Sequence, residues 1–208
     1  MDLRRSMRIA CAALALLACA CHQFDPGEPE ESTHQKCLRR AVFGDPAFSA
    51  YVLPYPVGSS YRLLQSYCSG GSHLNQLAYD FYMIVGTPIT AARAGTVLQS
   101  VDLYEDSDRD GRHVNFLMIG HADGSAAFYA HLRLGTQRVK VGEEVAQGQR
   151  IADSGHCGTP LPDLHFGVYR SWPAHSGDDL AINFRNADGP LDERGGLMVD
   201  VMYLALPY

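Results

Sequence analysis

What most constrains this chain is its punctuation. Runs of six to nine residues, apolar or alternating, are each closed by a cluster of Gly, Pro, Asp or Ser. The runs are LAYDFYM, TVLQSVDLY, HVNFLMIG, SAAFYAHL, QRIADSG and LHFGVY; between them sit VGTP, RAGT, DSDRDGR, HADGS, KVGEEVAQGQ and SGHCGTPLP. Short runs bounded by turn residues build sheets, and sustained helical periodicity is scarce, so the fold class is all-β. In VKVGEEVAQGQRIA (139–152), Val139, Val141, Val145 and Ile151 are expected in the core, with Gly142 and Gly148 at tight turns. Such hairpins also occur in biotin and lipoate carriers, but there is no lysine at a hairpin tip flanked as a carrier lysine would be. The chain has no internal repeat and no nucleotide-binding glycine loop.

The start of the sequence reads as an export signal. Arg4, Arg5 and Arg8 precede an apolar run over 9–18, too short to span a bilayer comfortably. LLAC, ending at Cys19, has the form of a bacterial lipobox, in which the cysteine is lipidated and becomes the mature N-terminus; ACA before Cys21 has the form of an ordinary cleavage site. A short anchor that is never cleaved is the third reading. Residues 1–21 are therefore assigned to a signal peptide. Residues 22–54 form a tether and N-terminal segment, its first part (22–36) polar, acidic and bearing Pro and Gly.

The formal net charge is −6, and cleavage before Cys19 leaves 14 basic against 22 acidic residues, or −8. Such a domain is a poor partner for nucleic acid, whose phosphates call for Lys and Arg. Export permits disulfides among Cys21, Cys37, Cys68 and Cys157. Cys37–Cys68 is the preferred pair because it would tie the N-terminal segment to the domain, while Cys157 is free or paired with Cys68. None has zinc-knuckle spacing. DSDRDGRH (106–113) offers Asp106, Asp108 and Asp110, but the twelfth position of a calcium loop is Leu117 where a Glu is needed. The stretch is read as a solvated acidic hairpin tip.

Four polar residues stand out against this background. In LPDLHFGVY (161–169), Leu164, Phe166 and Val168 alternate with Asp163, His165 and Gly167, so Asp163 and His165 share a face opposite the apolar set. In LAYDFYM, Asp80 lies opposite Leu77, Tyr79, Phe81 and Met83. His73 sits in a Gly/Ser loop and His131 in FYAHL. A catalytic zinc takes three ligands from His and Asp or Glu and keeps one position for water. His73, Asp80 and His165 fit that set, and His131 could orient the water or stabilise an oxyanion. Singly, each is more often a satisfied structural residue; the argument lies in the combination.

The combination resembles a known family. H…YDF…GTPITAARAGTV, FYAHL, VKVGEEVAQGQRIADSG and LHFGV are similar, in that order, to the lysostaphin/LytM-type zinc endopeptidases over residues 55–172, and NFRNADG (183–189) to the tail of some exported members. The resemblance implies an antiparallel β-sandwich or β-roll, LytM-like with a duplicated hybrid motif, and a metal-site groove floored by a sheet. Residues 173–208 would be a C-terminal extension packed on that domain. It implies Zn2+ held by His73, Asp80 and His165, with His131 assisting, and cleavage of peptidoglycan peptides in the cell envelope or periplasm.

Two departures matter. Six residues separate His73 from Asp80 where the best-known members have three, which requires residues 74–76 to loop out. The family's His-x-His has Asp163 at its first position. Asp163 could serve as a catalytic carboxylate base, close the site as a fourth ligand, or mark a degenerate groove that binds peptidoglycan or activates a cell-wall hydrolase partner. His156 could supply the missing imidazole, whereas His113 and His121 read as surface hairpin residues. YVLPYPVGSSY (51–61) could lie along the groove or brace the sheet.

Overall fold

The structure, a computed structural model, describes residues 30–208. The expected export signal, Cys19 and Cys21 lie outside them. Among the described residues no helix is long and apolar enough to cross a membrane.

The strands are β1 (Ser60–Gln65), β2 (Ala78–Tyr82), β3 (Pro88–Thr90), β4 (Gly95–Val101), β5 (Phe116–Gly120), β6 (Ala126–Ala130), β7 (Glu144–Val145), β8 (Arg150–Asp153), β9 (Asp163–Tyr169), β10 (Ala187–Asp188) and β11 (Met202–Ala205); one helix, α1 (Thr33–Arg40), precedes them. Nine strands form an antiparallel sheet in the order β10-β11-β1-β2-β9-β6-β5-β4-β7, and β3 pairs with β8 in a separate ribbon. The expected all-β class is what folds. Each of the six punctuated runs contributes a strand, at β2, β4, β5, β6, β8 and β9.

Alternation divides the central sheet into two faces. Leu77, Tyr79, Phe81, Met83, Leu164, Phe166, Val168, Leu117, Ile119 and Tyr129 are buried on one. That face is covered by Tyr51, Leu53 and Tyr55, by Ile89 and Ile151 of the ribbon, and by Phe184, whose ring stacks within 5.7 Å of both Tyr79 and Phe166. Tyr55 meets Phe81 edge-on at 5.5 Å, so residues 51–55 brace the apolar face and leave the opposite face open. Val139, Val145 and Ile151 are buried as expected; Val141 is not, at 61% exposed, because it stands at the mouth of the turn through Gly142.

The N-terminal segment is fastened. Ser32 caps α1, accepting from the Gln35 backbone N–H while the Gln35 side chain accepts from the Ser32 backbone. Cys37 of α1 is bonded to Cys68, which leaves Cys157 as a buried free thiol and rules out its pairing with Cys68.

Candidate metal centre

The open face of the sheet carries the polar residues. The β2–β9 register sets Asp80 opposite His165 and Tyr82 opposite Asp163. His73 ends a 3-10 turn, Gly71–His73, between β1 and β2. The longer spacing to Asp80 is taken up by residues 74–77, held by Gln76 N–H to the His73 carbonyl and Cys68 N–H to the Gln76 carbonyl.

Three ligand atoms converge. His73 Nε2 lies 3.2 Å from both Asp80 Oδ1 and His165 Nδ1, and His165 Nδ1 lies 2.8 Å from Asp80 Oδ1. Donor atoms this close together can all reach one ion. Two imidazoles and a carboxylate are a donor set suited to zinc. His73 is fully buried, and its Nδ1–H donates to the Ser66 carbonyl at 3.1 Å, which turns Nε2 toward the other two. The residues fit the metal.

The electrostatics follow from this packing. Burial pushes the Asp80 carboxyl up, but the His165 charge and hydrogen bonds from His165 and His73 outweigh it and hold the group well below the usual carboxylate range. Burial likewise pulls His165 down, and the Asp80 charge and hydrogen bond overcome it, leaving the imidazole raised.

The triad opens on a groove of about 860 Å³ lined by residues that include Phe116, Phe128, His131, Thr159, Asp163 and Tyr169. His131 faces it with its ring 6.2 Å from that of His165. Its backbone is left-handed (φ 61°), a conformation that costs a non-glycine residue about 1–3 kcal/mol and persists where the surroundings dictate it. Here the Gly155 N–H holds its carbonyl, and His131 Nδ1–H donates to the Cys157 carbonyl at 2.8 Å, freeing Nε2. Burial, then the neighbouring His165 charge, lowers its pKa to about 4.

Asp163 lines the groove but does not join the convergent set, which among the described residues is His73, Asp80 and His165. Thr159 bonds Asp163 Oδ1 at 2.9 Å. Burial, then the Asp80 charge, raises its pKa to about 7.

Other expectations concern His156, the 106–113 stretch, His113 and His121. The His156 ring Nδ1 lies 2.8 Å from an Arg109 nitrogen, and His156 stands close enough to His131 to be among the influences that lower that imidazole's pKa. The 106–113 stretch is solvated as expected, none of its residues being buried, but it is also tied to the 156–158 loop. Arg109 bonds the His156 carbonyl, Asp106 accepts from the His156 N–H, the Gly158 N–H reaches the Asp108 carbonyl, and Gly111 and Arg112 form part of the groove wall. His113 bonds Asp108 and stacks on Tyr104 at 4.6 Å. His121 is buried, not superficial, at 7% exposed, with Nδ1–H on the Ala94 carbonyl.

Two contributors escaped the sequence reading. Thr159 sits in SGHCGTPLP, which carried only a turn signal. Gln65 donates to Asp80 Oδ2 at 2.9 Å, and a lone Gln at a strand end advertises nothing.

A lipoprotein NlpD/LppB homolog of Pseudomonas aeruginosa is 32% identical over 129 residues, which is 62% of this chain and 39% of that relative. The chain thus spans about two fifths of the relative's length. The catalytic domain of the antimicrobial peptidase lysostaphin from Staphylococcus simulans is 27% identical, covering 58% of this chain and 86% of that one with a TM-score of 0.43. A zinc-containing peptidase from Vibrio cholerae is 26% identical, covering 58% and 37%, with a TM-score of 0.40. The pattern of peptidase family M23 matches residues 75–180, a span that holds Asp80, His131, Asp163 and His165 and starts two residues after His73. With just over half its length matched, the chain belongs to peptidase family M23.

Proposed function

We propose that the protein is a zinc metalloendopeptidase that hydrolyses peptide bonds of bacterial peptidoglycan at the cell envelope. The observation that carries this reading is the convergence of His73 Nε2, Asp80 Oδ1 and His165 Nδ1 at the floor of an open groove. Family membership supports it. Residues 55–172 would be the peptidase domain, residues 173–208 its extension, and Cys19 the point of lipid attachment.

Zinc bound there supplies Lewis acidity toward a peptide carbonyl and lowers the pKa of a water to near 7. The chain's own groups do the rest. His131, neutral above about pH 4 and with Nε2 free, accepts a proton from water in the groove or orients it. Asp163, buried in the groove wall and bonded to Thr159, is the carboxyl placed to pass a proton to the departing amine. Phe116, Phe128 and Tyr169 give the groove an apolar lining that limits competing water.

A second reading rests on one observation, the carboxyl at the family's first His position. A carboxylate is shorter than imidazole and has no N–H for an oxyanion. The groove would then bind peptidoglycan or recruit a cell-wall hydrolase without cutting.

The test is amine release from purified peptidoglycan by the zinc-loaded protein, with and without chelator. Chelator-sensitive new amino groups are expected; no release from folded, zinc-bound protein would favour the binding module. Asp80→Ala is expected to lose zinc, and full metal retention would sink the ligand assignment.

A further inference from the structure

Gln65 reaches the site through an irregularity in the sheet. Leu63, two residues before it, is fully buried on the apolar face, and regular alternation would send Gln65 the same way. The β1–β2 register shifts between them: Leu63 pairs with Phe81, whereas Gln65 pairs with Asp80. A slip of this kind turns the strand end over and puts Gln65 on the groove face.

There its amide has specific partners. Nε2 donates to Asp80 Oδ2 at 2.9 Å and to Ser72 Oγ at 3.1 Å, and Ser72 immediately precedes His73. One side chain thus spans the turn that carries one ligand and the carboxylate that is another. With Oδ2 engaged, Asp80 presents Oδ1 alone to His73 and His165.

We infer that Gln65 is a positioning residue that keeps Asp80 a one-oxygen ligand, so that the position facing the groove stays open. A carboxylate free to rotate can offer both oxygens to a metal and fill that position with its own second atom. The inference rests on the metal-site reading above but not on hydrolysis.

The experiment compares wild type with Gln65→Met, which keeps the length of the side chain and removes the donor. Zinc affinity, measured by chelator competition, is expected to fall about 10- to 100-fold, the usual effect of losing a partner that orients a ligand. The cobalt(II)-substituted wild type is expected to show the intense visible band of a four-coordinate centre, and Gln65→Met a weaker five-coordinate spectrum. Zinc affinity within twofold of wild type together with an unchanged cobalt spectrum would overturn the inference. If Gln65→Met does not fold, Gln65→Leu gives the same comparison, since its side chain likewise has no donor for Asp80 and no group that could bind the metal. Wild type that binds both metals yet releases no amine from peptidoglycan would defeat the hydrolase reading and leave this one standing; wild type that binds neither would defeat both.

Discussion

The Thr159 hydroxyl donates a 2.9 Å hydrogen bond to Oδ1 of Asp163, a residue only 3% exposed. The residue that departs from the family pattern is therefore held, not loose. Its carboxyl sits out of water beside the Asp80 charge, and both effects favour the neutral form. A buried, hydrogen-bonded carboxyl raised toward neutrality is the kind of group that general acid–base catalysis uses.

The same shift fixes a pH dependence for the metal-free protein. Folding raises the Asp163 pKa from 3.8 to about 7. Its contribution to stability is fully present below pH about 3.8 and is lost as the pH rises through 7. Asp163→Asn keeps the acceptor for Thr159 and removes the titration. The variant is expected to melt above wild type by a margin that grows from pH 4 to pH 8 and then levels, worth at most roughly 4 kcal/mol. Thermal melts of chelator-treated protein check it; a margin that shrinks toward pH 8 would contradict the assignment. In peptidoglycan hydrolysis the same variant is expected to lose about 10²–10⁴ in rate.

Substituting His131 tests the proposed catalysis apart from metal binding. His131→Ala removes Nε2 from the groove without touching His73, Asp80 or His165. The expected result is a kcat lowered about 10²- to 10⁴-fold at unchanged zinc stoichiometry. Metal analysis beside kinetics decides it, since zinc loss would make His131 a support for the triad instead.

How much of this was legible can be argued from particular residues. Leu164, Phe166 and Val168 against Asp163, His165 and Gly167 is a period-two pattern, and it placed both faces of β9 correctly. Asp80 was legible for the same reason. Val141 and His121 were misjudged because burial in a hairpin depends on what packs across it: nothing covers Val141, while Tyr51 and the Ala94 carbonyl enclose His121. The cap of α1 was written plainly in STHQ, with Ser32 and Gln35 three apart, yet it lies in a polar stretch whose composition suggested a tether. Gln65 was not legible, because its orientation comes from a register shift that no local pattern marks.

The disulfide lies beside the loop that carries His73, a proposed ligand. Cys68 follows Ser66, whose carbonyl orients His73, and Arg40 at the end of α1 bonds the Asn75 carbonyl on the far side of the same loop. Replacing Cys37 and Cys68 together by Ser is expected to destabilise the fold by roughly 3–4 kcal/mol, the chain-entropy value for a closed loop of this length. Zinc affinity is expected to fall as well, because the loop bearing His73 gains freedom. Urea unfolding and chelator competition measure the two effects, and stability loss at unchanged zinc affinity would show that Arg40 and the loop's own hydrogen bonds suffice.

Gly155 links the two groove residues outside the triad. Its N–H donates to the His131 carbonyl at 2.7 Å, and it bridges Asp163 in the sheet. A Cβ at this position would meet Asp106 Oδ1 at 2.6 Å, the Arg133 nitrogen at 2.7 Å and Arg133 Cα at 2.8 Å. The Arg133 backbone has little room to retreat, since its N–H is bonded to the Asp153 carbonyl. Gly155→Ala is therefore expected to cost about 2–4 kcal/mol and to displace His131 and Asp163 together. Gly111→Ala is the control: the nearest atom to its added Cβ is 3.8 Å away, and its effect is expected within about 0.5 kcal/mol. Because His73, Asp80 and His165 hang from the 3-10 turn, β2 and β9, the Gly155 variant is expected to keep its zinc while losing hydrolysis. Urea unfolding, metal content and amine release on both variants test this, and a Gly155→Ala protein with wild-type turnover would show that the position of His131 does not limit the reaction.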